Sequence, residues 1–220
     1  MAISQASGNA GLNPGIYTSS TRPASPADGL VISETDTDSL SVYKGSAWAP
    51  VSGLTFISSA TFSVASTVSL PANSFSATYQ QYKIVLNLTA TTNASSLSLR
   101  MRASGTDYSG AQYHRGVANI NSSGTIDSSG PSGASGTSWN LAYNGSVDPS
   151  VGEVTLFSPN EAVNTYYISS FSGVNSNSTA VAVSYGGGKV YQTTQYDSAT
   201  FLVSAGTMSG TYRLYGLANS

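Results

Sequence analysis

The chain has 220 residues, of which 8% are charged, and its formal net charge is −2 at pH 7. Binding to nucleic acid or to an anionic membrane surface requires clustered Lys and Arg, so this composition argues against both. Cysteine is absent, which excludes disulfides and thiolate metal sites. The sequence also predicts neither a signal peptide nor membrane insertion, because it has no basic N-terminal segment with a following apolar run and no apolar run of ~18 residues.

Residues 1–20 are rich in Gly, Asn and Ser and carry only isolated apolar side chains. These are Ile3, Leu12, Ile16 and Tyr17. They are too sparse to form a core, so such a segment gains order by lying on a partner surface. We therefore expect residues 1–20 to be an extended docking arm.

Residues 21–53 contain two apolar stretches, "GLVIS" and "SLSVYKGSAW", on either side of an acidic segment. The pattern predicts a small β-hairpin unit. A unit of this size buries too little surface to be stable alone. We therefore expect its apolar side chains to contact another copy of the chain or an attachment partner. The candidates are Val31, Ile32, Val42, Tyr43 and Trp48.

The acidic segment holds four of the ten acids of the chain within residues 28–38. Glu34, Asp36 and Asp38 alternate, and three like charges on one strand face would repel. The segment is therefore predicted to be a turn with side chain–backbone hydrogen bonds. An EF-type calcium loop counted from Asp36 would need glycine where Ser41 stands, so that motif fails. A bound cation near these acids is the alternative.

Residues 54–220 are predicted to form a β-sandwich with a jelly-roll-like arrangement. Apolar side chains recur at every second position along several segments separated by Gly, Asn, Ser and Pro clusters. Two such sets are Tyr82, Ile84, Leu86 and Leu88, and Leu97, Leu99 and Met101. The segment Ser74–Lys83 allows at most one turn of helix. The whole chain is thus expected to be all-β.

Two glycine-rich stretches are predicted to be irregular. Asn119–Asn140 has the composition of a long Gly/Ser loop, which is either flexible or ordered by a neighbour. Gly186–Lys189 is interpreted as a glycine turn between strands, because a phosphate-binding loop would need Ser or Thr where Val190 stands.

No arrangement of residues suggests catalysis. The chain has a single histidine, His114, and Asp107 is the only acid near it in sequence. A lone His beside an Arg is more often a surface donor than a general base, and no G-x-S-x-G motif occurs. We therefore predict a protein that is not an enzyme, with no cofactor and no assigned metal ligand.

Tyrosine is abundant, with 14 residues in the chain. Several lie among polar neighbours, namely Tyr108, Tyr113, Tyr143, Tyr166, Tyr191 and Tyr196. Most are expected to be half-buried on strand faces. Tyrosine provides contact area at low entropic cost together with a hydroxyl, so the rest are interpreted as contacts to proteins or sugars.

An ordered series of motifs runs through the N-terminal part of the chain. It comprises "TRPASP" at Thr21–Pro26, Gly29, the pair Val31–Ile32, the turn Glu34–Asp38, the strand Val42–Tyr43 and "KGSAW" at Lys44–Trp48. This series resembles a module of structural proteins of tailed bacteriophages. Leu99–Tyr113 and Gly210–Ala218 look like parts of the C-terminal β-domains of phage fibre and head-decoration proteins. The resemblance is loose over residues 114–210.

The resemblance implies a homotrimer on the virion surface, made in the host cytoplasm. In this reading residues 1–53 attach to the major capsid protein or another virion protein, and residues 54–220 face solvent as a cement or head-fibre knob. The alternative is a short tail-fibre or receptor-binding protein whose residues 54–220 contact host glycan. The lack of a repetitive shaft favours the first, while the tyrosine-rich loops leave the second open.

Overall fold

The computed structural model describes residues 14–37, 39–51, 53–91, 95–121, 124–144, 150–174 and 181–218. These residues form strands and turns and contain no helix, which confirms the predicted all-β fold with a sandwich-like domain. The predicted turn of helix over Ser74–Lys83 is instead a pair of turn residues, Ala77 and Thr78, leading into a strand. Among the described residues, no helix is long and apolar enough to cross a membrane.

The described residues form seventeen strands. They are β1 Gly15–Tyr17, β2 Val31–Glu34, β3 Ser39–Lys44, β4 Ala47–Pro50, β5 Leu54–Ala65, β6 Thr67–Ser69, β7 Tyr79–Thr91, β8 Ser95–Ala103, β9 Thr106–Asp107, β10 Tyr113–Asn121, β11 Ile126–Gly136, β12 Trp139–Asn144, β13 Ser150–Phe157, β14 Thr165–Val174, β15 Val181–Val190, β16 Ser198–Val203 and β17 Met208–Ala218.

The chain divides into two compact units between Thr55 and Phe56. The first is a four-stranded sheet in the order β1-β2-β3-β4, in which β1 runs parallel to β2 and the other pairs are antiparallel. The predicted hairpin unit, residues 21–53, contains β2, β3 and β4, with the stretch predicted as its second strand divided between β3 and β4, and β1 joins the sheet from the predicted arm. Within the predicted arm, Gly15–Tyr17 is one of these strands, while Ile3 and Leu12 lie outside the described residues.

The second unit consists of two antiparallel sheets. The large sheet has the order β11-β10-β15-β14-β13-β7-β17-β5, and the small sheet has the order β12-β8-β16-β6 with β9 paired to β8. Side chains from both sheets form one buried cluster, as the ring contact between Trp139 of β12 and Tyr167 of β14 illustrates, with centroids 4.5 Å apart. We call the side of the large sheet that faces away from this cluster its outer face.

The alternation predicted from the sequence matches this core. On β7, Tyr82, Ile84, Leu86 and Leu88 are buried, and on β8, Leu97, Leu99 and Met101 are buried. The intervening positions Lys83 and Arg100 are only partly covered. Period-two patterning therefore assigned the inward faces of these two strands correctly.

The prediction of a long loop over Asn119–Asn140 is wrong. β10 extends to Asn121, and β11 pairs with it antiparallel as an edge strand of the large sheet. β12 then begins at Trp139. A Gly/Ser segment has no apolar alternation to mark it as a strand, and here the order of the segment comes from backbone hydrogen bonds to β10.

The prediction of a glycine turn at Gly186–Lys189 is also wrong. These residues lie inside β15, which pairs with β10 on one side and β14 on the other. Glycine is unfavourable in a strand interior unless something approaches the backbone closely. At Gly188 the fold supplies that reason, because a Cβ would overlap the carbonyl oxygen of His114.

Candidate functional sites

Three of the acids from the acidic segment accept hydrogen bonds that tie the first unit together. Glu34, at the end of β2, is 2% exposed and receives Nε of Arg22 at 2.5 Å and Nη2 at 2.9 Å. The Arg22 hydrogen bonds hold the pKa of Glu34 below its usual range, against the opposing effect of burial. The hydroxyl of Thr37 donates to the same carboxylate at 3.0 Å.

The other two described acids of the acidic segment each fix the position of a loop. Asp36 accepts from the backbone N–H of Ser19 at 2.9 Å and from its hydroxyl at 2.5 Å, which lowers the pKa of Asp36. Asp28 accepts the backbone N–H of Gly45 at 2.8 Å, in the turn between β3 and β4. Thr35–Thr37 form the predicted turn, but its acids bind residues distant in sequence.

These contacts give the acids a structural role. Among the residues that the structure describes, no group of three or more His, Cys, Asp or Glu side chains is placed to hold a metal ion. Asp38 lies outside the described residues.

The first unit presents an exposed apolar face. Cross-strand register places Val31 opposite Val42, and Val42 opposite Ala49, while Ser33 lies between Ile16 and Leu40. Ile16 is 70% exposed, Leu40 47% and Val31 39%. We call these five apolar residues, Ile16, Val31, Leu40, Val42 and Ala49, the apolar face.

The structure divides the side chains predicted for attachment between the two faces of this sheet. Ile16, Val31 and Val42 belong to the apolar face, and its exposed Leu40 was not among the predicted attachment residues. The opposite face carries Glu34 and the remaining described members of the predicted set, which are Tyr17, Ile32, Tyr43 and Trp48. Ile32 is 1% exposed. The rings of Tyr43 and Trp48 pack on each other, with centroids 5.4 Å apart.

A second candidate site is a groove on the outer face of the large sheet, with a volume of about 580 Å³. Its floor is the cross-strand pair Gly116 of β10 and Gly187 of β15, which places no side chain on this face. The next residue along this row, on β14, is Ile168, which is 55% exposed. We call this site the glycine groove.

One side of the glycine groove is a row of larger side chains. His114, Lys189 and Tyr166 are aligned across β10, β15 and β14, and Phe157 of β13 continues the row. The Lys189 ammonium lies 4.6 Å from the ring centroid of Tyr191, a cation–π contact. On the other side of the floor, the row contains Tyr185, which is 52% exposed.

The tyrosines selected from the sequence fall into two groups. Tyr113 and Tyr196 are fully buried in the core, and Tyr108 packs against it. Tyr166 and Tyr191 are 49% and 56% exposed and lie at the glycine groove. The side chain of Tyr143 lies outside the described residues.

His114 has no carboxylate orienter at Asp107. The Asp107 carboxylate accepts from Arg102 at 3.0 Å and from the hydroxyl of Thr200 at 2.7 Å. His114 instead lies in the glycine groove, with its ring centroid 6.1 Å from that of Tyr191.

Comparison of the chain with protein-family models, curated proteins and solved structures gave no match.

Proposed function

We propose that the chain is a non-enzymatic structural protein of a tailed-bacteriophage virion, which decorates the capsid surface as a trimeric cement or head-fibre knob. The observation that carries the proposal is the apolar face on a unit too small to be stable alone. The sequence resemblance of residues 13–53 to a phage structural module supplies the setting.

The occupant of the apolar face in this proposal is the same face of other copies of the chain. The strands that form it bring Ile16, Val31 and Leu40 together without a charged neighbour between them. Burying such side chains between copies removes apolar surface from water with no charge to desolvate. Lys44 lies at the end of this face, where its ammonium can stay in solvent.

Attachment to the capsid is assigned to the segment that precedes β1. Ile3 and Leu12 lie there, outside the described residues. In this proposal they reach from the trimer to the major capsid protein or to another virion protein.

The test is the position and oligomeric state of the protein. Gold-labelled antibodies against the chain should mark the heads of intact virions, and light scattering should give the mass of a trimer for the purified protein. Label confined to the tail, or a stable monodisperse monomer, would overturn the proposal.

The glycine groove favours a second candidate, a short tail-fibre or receptor-binding protein. Its exposed tyrosines offer contact area on the second unit. This function requires label at the tail, and purified protein should then reduce phage adsorption to the host.

A further inference from the structure

We propose that the glycine groove is a binding site for a saccharide that carries a carboxylate, with one sugar ring lying on the floor made by Gly116 and Gly187. The inference does not depend on head or tail location, because it concerns the isolated second unit's own surface.

The floor of the groove is made of two glycines that the fold itself does not require. A Cβ built on Gly116 would have no heavy atom within 4 Å, and one on Gly187 would meet only ordinary contacts, the nearest at 3.5 Å. Neither residue has a backbone conformation that requires glycine. Glycine weakens a strand interior relative to other residues. The fold therefore tolerates side chains here and would gain from them, so bare backbone at these two positions points to a ligand that approaches closely.

Other strand glycines show the contrast. A Cβ at Gly152 would overlap the ring of Phe171, and a Cβ at Gly216 would overlap the ring of Tyr79. Those glycines make room for the protein itself. Gly116 and Gly187 make room on the exposed side of the sheet.

The size of the site matches one sugar ring. The rows that contain Lys189 and Tyr185 are four residues apart along β15, which is about 13 Å, and the glycine floor spans two adjacent strands. One pyranose ring lying flat fits between these rows. The exposed ring of Tyr166 then offers an apolar surface for the C–H groups of the sugar, and backbone groups and His114 offer hydrogen-bond partners.

The charge at the groove is positive and suits an anionic ligand. Among the described residues that line the groove, none is acidic. Within the described part of the chain, no carboxylate lies within salt-bridge distance of Lys189, whereas Lys83 on the same outer face pairs with Glu153 at 2.7 Å. An unneutralised ammonium held over Tyr191 at the groove's edge suits a carboxylate substituent on the sugar.

The experiment is a saturation-transfer NMR titration of the purified full chain with methyl β-D-glucuronide and with methyl β-D-glucoside, which differ at the carboxylate. We expect saturable binding of both, with the glucuronide at least fivefold tighter. Lys189→Met should abolish this preference and leave the glucoside affinity within twofold.

The floor is tested by Gly116→Val, which should lower the affinity for glucuronide at least tenfold without lowering the melting temperature. Gly187→Ala, which adds one methyl group within ordinary contact distances, is the second variant should the first fold poorly. Ser172→Val is the control, since it also places a valine on the outer face, about 13 Å along β14 from Ile168, and should leave affinity within twofold.

No saturable binding of either glycoside up to 20 mM, or full affinity in a folded Gly116→Val protein, would overturn the proposal. Equal affinity of the unmodified protein for the two glycosides would overturn the assignment of a carboxylate. None of these results depends on where the protein lies on a virion, so they are distinguishable from a failure of the capsid-decoration function.

Discussion

Glu34 shows how a single buried charge organises the first unit. Its side chain is nearly inaccessible, and the guanidinium of Arg22, a side chain that is 32% exposed, supplies two hydrogen bonds to its carboxylate. Removing the partner of a buried charge costs more than the pair contributes, because the charge that remains has lost its compensation. The pair also links the "TRPASP" and "ETDTD" motifs, 12 residues apart in the chain.

We expect Arg22→Gln to destabilise the first unit by about 1–3 kcal/mol. The measurement is hydrogen exchange of β2 and β3 amides. Because the folded pKa of Glu34 is depressed, its stabilisation is present above the unfolded pKa and is lost as the pH falls through the folded pKa. Amide protection of β2 and β3 in the unsubstituted protein should therefore decrease as the pH is lowered below ~4.5. Arg213 is an exposed residue on β17, so Arg213→Gln is the control. An equal loss of β2 and β3 protection in this variant would contradict the prediction.

The buried tyrosines predict instability at high pH. Burial raises the pKa of Tyr196 to about 12, and it raises the pKa of Tyr113 and Tyr167 as well. A raised pKa means that the stabilisation is complete below the unfolded value, near pH 10, and is lost as the pH rises towards the folded value. Unfolding should therefore set in above pH ~10 and coincide with tyrosinate absorbance at 295 nm. Full tyrosinate absorbance from a folded protein would contradict this.

The partners of the acids could not be predicted from the sequence, although the turn could. Local patterns indicate side chain–backbone bonds within a few residues, whereas Asp36 binds Ser19 and Asp28 binds Gly45, each 17 residues away. Such contacts depend on how strands are ordered in the sheet, and β1 in particular has no alternation to mark it.

At the scale of strands, the sequence predicted those with apolar alternation and missed those rich in glycine. β7 and β8 carry large apolar side chains on one face, so a period of two is visible. β11 and the Gly186–Gly188 part of β15 carry no such signal, and their order comes from neighbouring strands. The glycine groove was missed for the same reason, since its floor is made of residues that are typical of turns.

Strand glycines should differ sharply in their tolerance of alanine. Gly188→Ala places a Cβ against the His114 carbonyl oxygen and the Arg115 backbone, so β10 and β15 must separate, and we expect a loss of about 2–4 kcal/mol. In Gly116→Ala the new Cβ has no heavy atom within 4 Å, so the substitution should raise the free energy of unfolding by about 0.5–1 kcal/mol. Urea denaturation of the two variants measures both. Equal effects of the two substitutions would show that the β10–β15 contact is looser than described.

The apolar face predicts an assembly defect from exposed positions. Replacing Ile16, Val31 and Leu40 together by Thr places a strand-favouring β-branched side chain at each position but removes apolar contact area, on the order of 1–2 kcal/mol per site in each copy. We expect the trimer to dissociate to monomers in light scattering. Ser33→Thr, on the same face, is the control and should stay trimeric. An unchanged trimer in the triple variant would assign the contact to another surface.

At the scale of the molecule, the two units differ in how much core they contain. The buried apolar cluster extends from Leu70 to Leu214, so it belongs wholly to the second unit. In the first unit, Ile32 is the one buried apolar side chain among the described residues, and the other buried residues there are Glu34 and Ser41. We therefore expect the second unit to fold by itself, and the first unit to need the contacts between copies that the proposed trimer would supply.

Expressing the chain in two parts, divided at the Thr55–Phe56 boundary, separates the two units. Residues 56–220 expressed alone should give a β-type circular dichroism spectrum and melt within a few degrees of the full chain, because their core is intact. They should also be monomeric, since the apolar face is gone. Residues 1–55 alone should show little cooperative melting when dilute and should gain it as concentration rises, since folding coupled to association depends on concentration. A dilute 1–55 fragment that melts cooperatively as a monomer would contradict the dependence of the first unit on assembly, and a 56–220 fragment that remains trimeric would move the contact to the second unit.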